Sequence, residues 1–352
     1  MKRLSWLDSS RGLAILLLIV IHYVGALETR EFISYDTMNL MKAVLRVATP
    51  LFIFIFGFTF SIVYLNKILL SNLFEIYRNL WFKLFLIFIA RQTIVFSNYL
   101  KGEIGFDQLI DVLLYREFSQ SGEILTFYFI AIIFSPIALY WIHKKSNITG
   151  FFTVCLLYFS SYFVGSNFDG AKDNMLFRLF FYDVYAFFPF FSLVLFSFLL
   201  GKIYQNQLSD AVRLKYFLCV SIIALMSGLC ILFDVADNPI VNLAEGTLKS
   251  PPHVSYMLIY IGVSLLIVIS VAILSRKRLL FSNFFLGILS SIGKNSLLFY
   301  VIHYYYFLPT LILPFLFDVV TAFYELLAFL LIFVLSVIFV CFLDGFKKSK
   351  AQ

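Results

Sequence analysis

Charge is what this chain has least of. Only 13% of its 352 residues are charged, against about 25% in soluble globular domains, too few to cover a water-exposed surface. With 62% of residues hydrophobic, the solvent the chain expects is lipid. Cysteine and histidine are scarce as well, four of each. Cys155, Cys219, Cys230 and Cys341 sit singly inside apolar stretches, with neither metal-ligand spacing nor a disulfide framework, and read as reduced packing residues. His22, His143, His253 and His303 are far apart and include no pair four residues apart, so no metal site is expected. Glycine-rich phosphate loops are missing too, so a nucleotide-bearing ligand would have to be held by helices and their basic rims. The net charge of +7 comes from short basic clusters between apolar stretches rather than from one basic face, which excludes nucleic acid as a partner.

Apolar runs of roughly 20 residues, enough to span a bilayer, recur at 11–27, 43–65, 80–98, 123–142, 150–165, 181–201, 214–233, 254–275, 294–316 and 321–343. The expected fold is all-α: a polytopic integral membrane helix bundle of about ten transmembrane helices, forming one domain over 1–352. Lys2 and Arg3 ahead of an apolar run imitate a secretory signal. Asp8 and Arg11 interrupt its approach and His22 lies within it, so the segment is expected to stay as the first span. The run Leu279 to Leu289 is too short to cross and is expected along the interface, leading directly into the ninth span.

Most of the 27 basic residues fall on one side when alternate loops are assigned to alternate faces. Lys67, Arg78, Lys83, Lys144, Lys145, Lys202, Arg213, Lys215 and Arg276 to Arg278 join both termini there. The positive-inside rule then puts both termini in the cytoplasm and the protein in the cell membrane as a multi-pass chain. Lys42, Arg46, Arg91 and Lys294 lie within or at the ends of spans. The opposite loops carry many acids, among them Glu28, Asp36, Glu103 and Asp107, which read first as solvated surface.

The informative stretch is Asp8 to His22. Eleven residues at about 100° each return His22 to the face of Arg11, roughly 16 Å further along the helix. Asp8, Arg11, Ala14, Leu18 and His22 form one stripe, which places the arginine near the cytoplasmic boundary and the histidine deep in the membrane. Ionisable groups at such depth face a cavity or the bundle interior. The plain alternatives are a neutral His22 hydrogen-bonded to a neighbouring helix and an Arg11 that snorkels to headgroups. Asp8 either pairs with Arg11 or caps the helix, capping being the standard role of Asp before an apolar run.

In "DSSRGLAILLLIVIH" the arginine, ten intervening residues and histidine resemble the first-helix signature of the acyltransferase-3 superfamily of membrane acyltransferases. "RVATPLFIFIFGFTFSIVY", "FPFFSLVLFSFLLGKIY", "KSPPHVSYML" and "IGKNSLLFYVIH" follow in order. They resemble blocks of the branch typified by the heparan-α-glucosaminide N-acetyltransferase catalytic domain. "GEILTFYFIAIIFSP" is similar to the glucan succinyltransferase branch, and His253 stands where the acetyltransferase-like branch tends to have a small residue. The resemblance implies a cytoplasmic acyl-CoA, acetyl-CoA foremost, as donor and a carbohydrate acceptor handled from the other face.

Acyl transfer from a thioester needs a base for the acceptor, or a nucleophile that carries the acyl group. Neutral imidazole serves as either, so His22 is the catalytic candidate, with Arg11 orienting the donor or stabilising developing negative charge. Lys294, Arg91, Arg78 and Ser296 are candidate donor contacts. His303, His253, Tyr256 and Tyr300 are candidate acceptor contacts, with Pro251 and Pro252 setting the mouth of the eighth span. Interhelical hydrogen bonds are the plain alternative for Ser296, Tyr300 and His303, and topology alone accounts for Arg78. Two other classes compete: a transporter or flippase lined by the same charges, for which no inverted repeat is evident, and a non-catalytic scaffold. A homo-oligomer is compatible with all three.

Overall fold

The computed structural model describes residues 4–27, 34–70, 73–119, 122–168, 173–205, 210–277, 280–305 and 333–345. Helices fill nearly all of them. In chain order they are α1 (Ser5–Leu27), α2 (Tyr35–Leu45), α3 (Ala48–Leu70), α4 (Leu73–Leu100), α5 (Phe106–Leu113), α6 (Glu123–Lys144), α7 (Asn147–Asn167), the short α8 (Met175–Phe177), α9 (Phe187–Gln205), α10 (Asp210–Val235), α11 (Pro239–Glu245), α12 (Val254–Arg276), α13 (Leu280–Lys294) and α14 (Ser296–His303). A last apolar helix, α15, covers Phe333–Gly345. Among the described residues, eight helical segments are long and apolar enough to cross a membrane, or nine if the bent pair α13–α14 is counted as one. The protein is an integral membrane helix bundle. The end of the expected ninth span and the start of the tenth fall at 306–332, outside the described residues.

Several spans begin earlier or later than hydropathy alone predicts, each for a local reason. α1 starts at Ser5 because the polar Ser9 and Ser10 do not stop it: their hydroxyls donate to the carbonyls of Ser5 (3.1 Å) and Trp6 (2.9 Å) one turn back. α7 is extended by the hydroxyl of Ser146, which accepts the Thr149 amide at its N-terminus (3.1 Å). α9 starts at Phe187 rather than 181, after a π-helical turn at Arg178–Tyr182. Asp183 ends that turn by accepting from the Val184 amide (2.7 Å) and pairing with Arg178 (3.1 Å). Most of the run Leu279 to Leu289 lies in α13, which packs against α1. The chain breaks at Asn295 and α14 departs at 82°.

α3 and α9 lie at the centre of the bundle. Small residues bring them together: a Cβ on Gly57 would sit 2.8 Å from the Ser197 Cβ, and one on Gly201 would sit 2.7 Å from Ser61. Without a hydrophobic driving force between helices in lipid, such close backbone approach supplies the packing. The periphery is apolar, with Trp81, Phe82 and Phe85 of α4, Phe152 and Leu156 of α7 and Ile223 and Phe233 of α10 all exposed, the surface a lipid-facing helix presents.

Candidate active site

The site is organised by α1. Gly12 and Gly293 allow α13 to lie directly against it: a Cβ on Gly12 would fall 2.0 Å from the Leu289 carbonyl oxygen, and one on Gly293 would fall 1.8 Å from that of Asp8. The Ser9 hydroxyl fastens the pair by donating to the Leu286 carbonyl (2.9 Å). Asp8 does not cap α1. It lies inside the first turn, buried, and pairs with Arg11 one turn on (3.8 Å). The Arg11 guanidinium also donates to the Thr59 hydroxyl of α3 (3.3 Å).

Arg11 opens on a cavity of about 730 Å³ at the end of the bundle where α1 begins. Its walls are largely apolar, drawn from α1, α3, α4, α6, the end of α13 and α14, with Thr59, Tyr64, Lys83, Thr93, Tyr128, Lys294, Asn295, Ser296 and Tyr300 joining Arg11 as its polar groups. Lys83 donates to the Tyr64 hydroxyl (2.9 Å). Lys294 reaches Asp344 of α15 (2.9 Å), which offsets its charge. The buried Tyr128 hydroxyl has no hydrogen-bond partner among the described residues.

Three turns along, His22 lines a second pocket of about 280 Å³ with Lys42, Arg46, Thr49, Tyr185, Lys249 and Tyr256. Leu18 is common to both cavities, so a leucine of the predicted stripe borders both the arginine's space and the histidine's. The His22 ring lies 5.4 Å from that of His303 and 5.9 Å from that of Tyr304. His303 is buried, packs on Tyr304 at 4.1 Å, and is held through its Nδ1 by the Tyr300 carbonyl. Lys249, in the loop before α12, has its ammonium 4.2 Å from the Tyr185 ring centre. Burial pushes its pKa down; Tyr185 opposes that shift and Arg46 adds to it.

The acyltransferase domain that defines the acyltransferase-3 family matches residues 4–344, taking in α1, both cavities and every helix that lines them. This chain belongs to the acyltransferase-3 family. No curated protein and no solved structure matches it.

The membrane acyltransferase does not gather all of the residues singled out from its sequence. Arg11, Lys294 and Ser296 line the first cavity, and Tyr300 joins them there rather than on His22's side. Tyr256 lines the second pocket. His303 touches His22 without lining that pocket. Arg91 reaches neither cavity. It is 1% exposed and consumed by Glu123 (3.1 Å), the Val112 carbonyl (2.7 Å) and Gln92 (2.9 Å), with Tyr115 stacked on it at 4.1 Å. Arg78 is exposed outside the cavity. His253 caps α12: its ring nitrogen accepts the Ser255 amide (3.3 Å) and the ring edge meets Tyr162. Burial lowers its pKa, which favours the neutral ring a cap requires.

Conversely, Tyr128, Thr59, Lys42, Arg46, Tyr185 and Lys249 line the two spaces without having been put forward for them. Lys42 and Arg46 carried the signal that brought Arg91 forward, a cation that topology does not explain. The tyrosines had none, being two of 21 in the chain. Among the described residues no cluster of three or more His, Cys, Asp or Glu could hold a metal ion.

Proposed function

We propose that this acyltransferase moves a short acyl group, acetyl foremost, from cytoplasmic acyl-CoA to a hydroxyl or amine of a carbohydrate at the outer face of the cell membrane. The carrying observation is that one helix presents Arg11 to a large cavity and His22 to a separate, polar pocket, with Leu18 the one described residue that lines both. Basic residues crowd the end where α1 begins, so by the positive-inside rule the larger cavity faces the cytoplasm. It suits the donor: an apolar channel for the pantetheine arm, with Lys83, Lys294 and Arg11 on its walls to meet phosphate and amide oxygens. The smaller pocket suits the acceptor.

His22 then takes the proton of the acceptor hydroxyl or amine as that atom attacks the thioester carbonyl. The carbon–sulfur bond breaks, and the proton passes on to the departing CoA thiolate. Transfer through an acyl-histidine uses the same atoms in two steps. About 16 Å of helix separates Arg11 from His22, so the arginine holds the donor rather than the oxyanion. Leu18 must yield for the thioester to reach His22. The heparan-α-glucosaminide N-acetyltransferase-like branch is the reading the motif order favours, with succinyl transfer to a glucan second.

The test is turnover of acetyl-CoA by purified protein in nanodiscs with a panel of amino sugars and glycans. His22→Ala should lose about 10²- to 10⁴-fold in kcat, the usual worth of a general base, and Arg11→Ala should raise the KM for acetyl-CoA more than it lowers kcat. Turnover that survives His22→Ala, or an absence of any acetyl-CoA binding, would move the assignment to transport along the same charged path.

A further inference from the structure

Lys42, Arg46 and Lys249 line the His22 pocket, and among the described residues no Asp or Glu does. Elsewhere the fold pairs inward-facing cations with carboxylates: Arg91 with Glu123, Lys294 with Asp344, Arg11 with Asp8. Lys249 is 9% exposed, yet among the described residues no carboxylate lies within ion-pair distance of it, and its partner is the face and hydroxyl of Tyr185. Arg46 spends its Nε on the Ala244 carbonyl (2.7 Å), and its guanidinium occupies the space beside Gly246 that a Cβ would fill. Its two terminal nitrogens make no hydrogen bond among the described residues. Tyr256, fully buried on the same wall, has a hydroxyl with no partner among the described residues.

Buried cations and orphaned hydroxyls are costly unless something completes them. Here the missing component is an anion with further oxygens to accept hydrogen bonds. We propose that the pocket selects an acceptor bearing an anionic group, a carboxylate or a phosphate on a monosaccharide unit, which Arg46 and Lys249 bind while the group to be acylated is turned toward His22. Arg46 supplies the planar fork that carboxylate and phosphate oxygens match, and Lys249 supplies a point charge beside it. Tyr256 donates to the same ligand. The proposal rests on reading this pocket as the acceptor side, and it adds the class of acceptor.

Binding is measured without acetyl-CoA, by calorimetry on the full chain in phosphatidylcholine nanodiscs, which keep an anionic headgroup from supplying the charge. Methyl glucuronide and glucose 6-phosphate are compared with neutral methyl glucoside. The two anions should bind about tenfold or more tightly than the neutral sugar, as expected for a charge-assisted contact, and more weakly as salt is raised. Lys249→Gln and Arg46→Gln should close that gap, and Lys249→Arg should keep it. Equal binding of the three sugars by the wild type, binding of none, or a gap that persists in both neutral variants would overturn the proposal. Because the readout needs no acyl donor, failure of acyl transfer and failure of anion recognition are seen separately.

Discussion

At the scale of single residues, the site depends on groups held out of their preferred state. Lys249 is the clearest case, because burial works against its charge and lowers its pKa below the usual 10.5. Between that lowered value and 10.5 the unfolded chain holds a proton that the folded chain has released, so stability rises with pH across the window. The ligand-free protein should therefore show a thermal midpoint that climbs as pH is raised toward 10, and Lys249→Met should remove that part of the climb. A midpoint with the same pH dependence in the variant would mean that Lys249 is not strained.

At the scale of elements, the contact between α1 and α13 shapes the larger cavity. Two glycines let backbone touch backbone, and the contact brings Lys294, Asn295 and Ser296 beside Arg11 through the 82° turn into α14. Gly12→Ala places a methyl group 2.0 Å from a carbonyl oxygen of the facing helix, where no flexible side chain can give way. Overpacking of this kind costs about 1 to 3 kcal/mol. The expected outcome is a lower thermal midpoint together with a raised KM for acyl-CoA, as the α14 wall shifts relative to Arg11. Unchanged donor affinity in a folded variant would show that α13 does not shape the cavity.

At the scale of the whole molecule, the buried Arg91 links α4, α5 and the start of α6 through Val112 and Glu123. It stands apart from both cavities, so its contribution is to stability. Replacing it alone leaves Glu123 with an unpaired charge in an apolar setting, a loss of about 3 to 5 kcal/mol for buried pairs. Arg91→Met should accordingly unfold far more readily in a detergent challenge, and Arg91→Met with Glu123→Leu should recover most of the loss. Single and double variants of equal stability would remove the pair from the structural account.

The sequence by itself determined what depends on local order and composition. A chain so poor in charge has no other solvent than lipid, and helical periodicity requires Arg11 and His22 to share a face wherever the helix is placed. The Lys294 to His303 cluster was legible for the same reason, since its members lie within three turns of one another. Only the tertiary structure decided which space each residue meets. Tyr300 and His303, three residues apart, face different surroundings because α14 is turned against α1. Arg91 had the outward signs of a ligand-binding cation until Glu123 and the Val112 carbonyl, from elements distant in sequence, were brought to it. His253 is claimed by the start of its own helix. Arg46 and Lys249 lie more than two hundred residues apart, and nothing local marks them as partners. They converge because α2, α3 and α12 pack around α1, and the lack of a neutralising carboxylate among the described residues that line their pocket exists only once those helices are assembled.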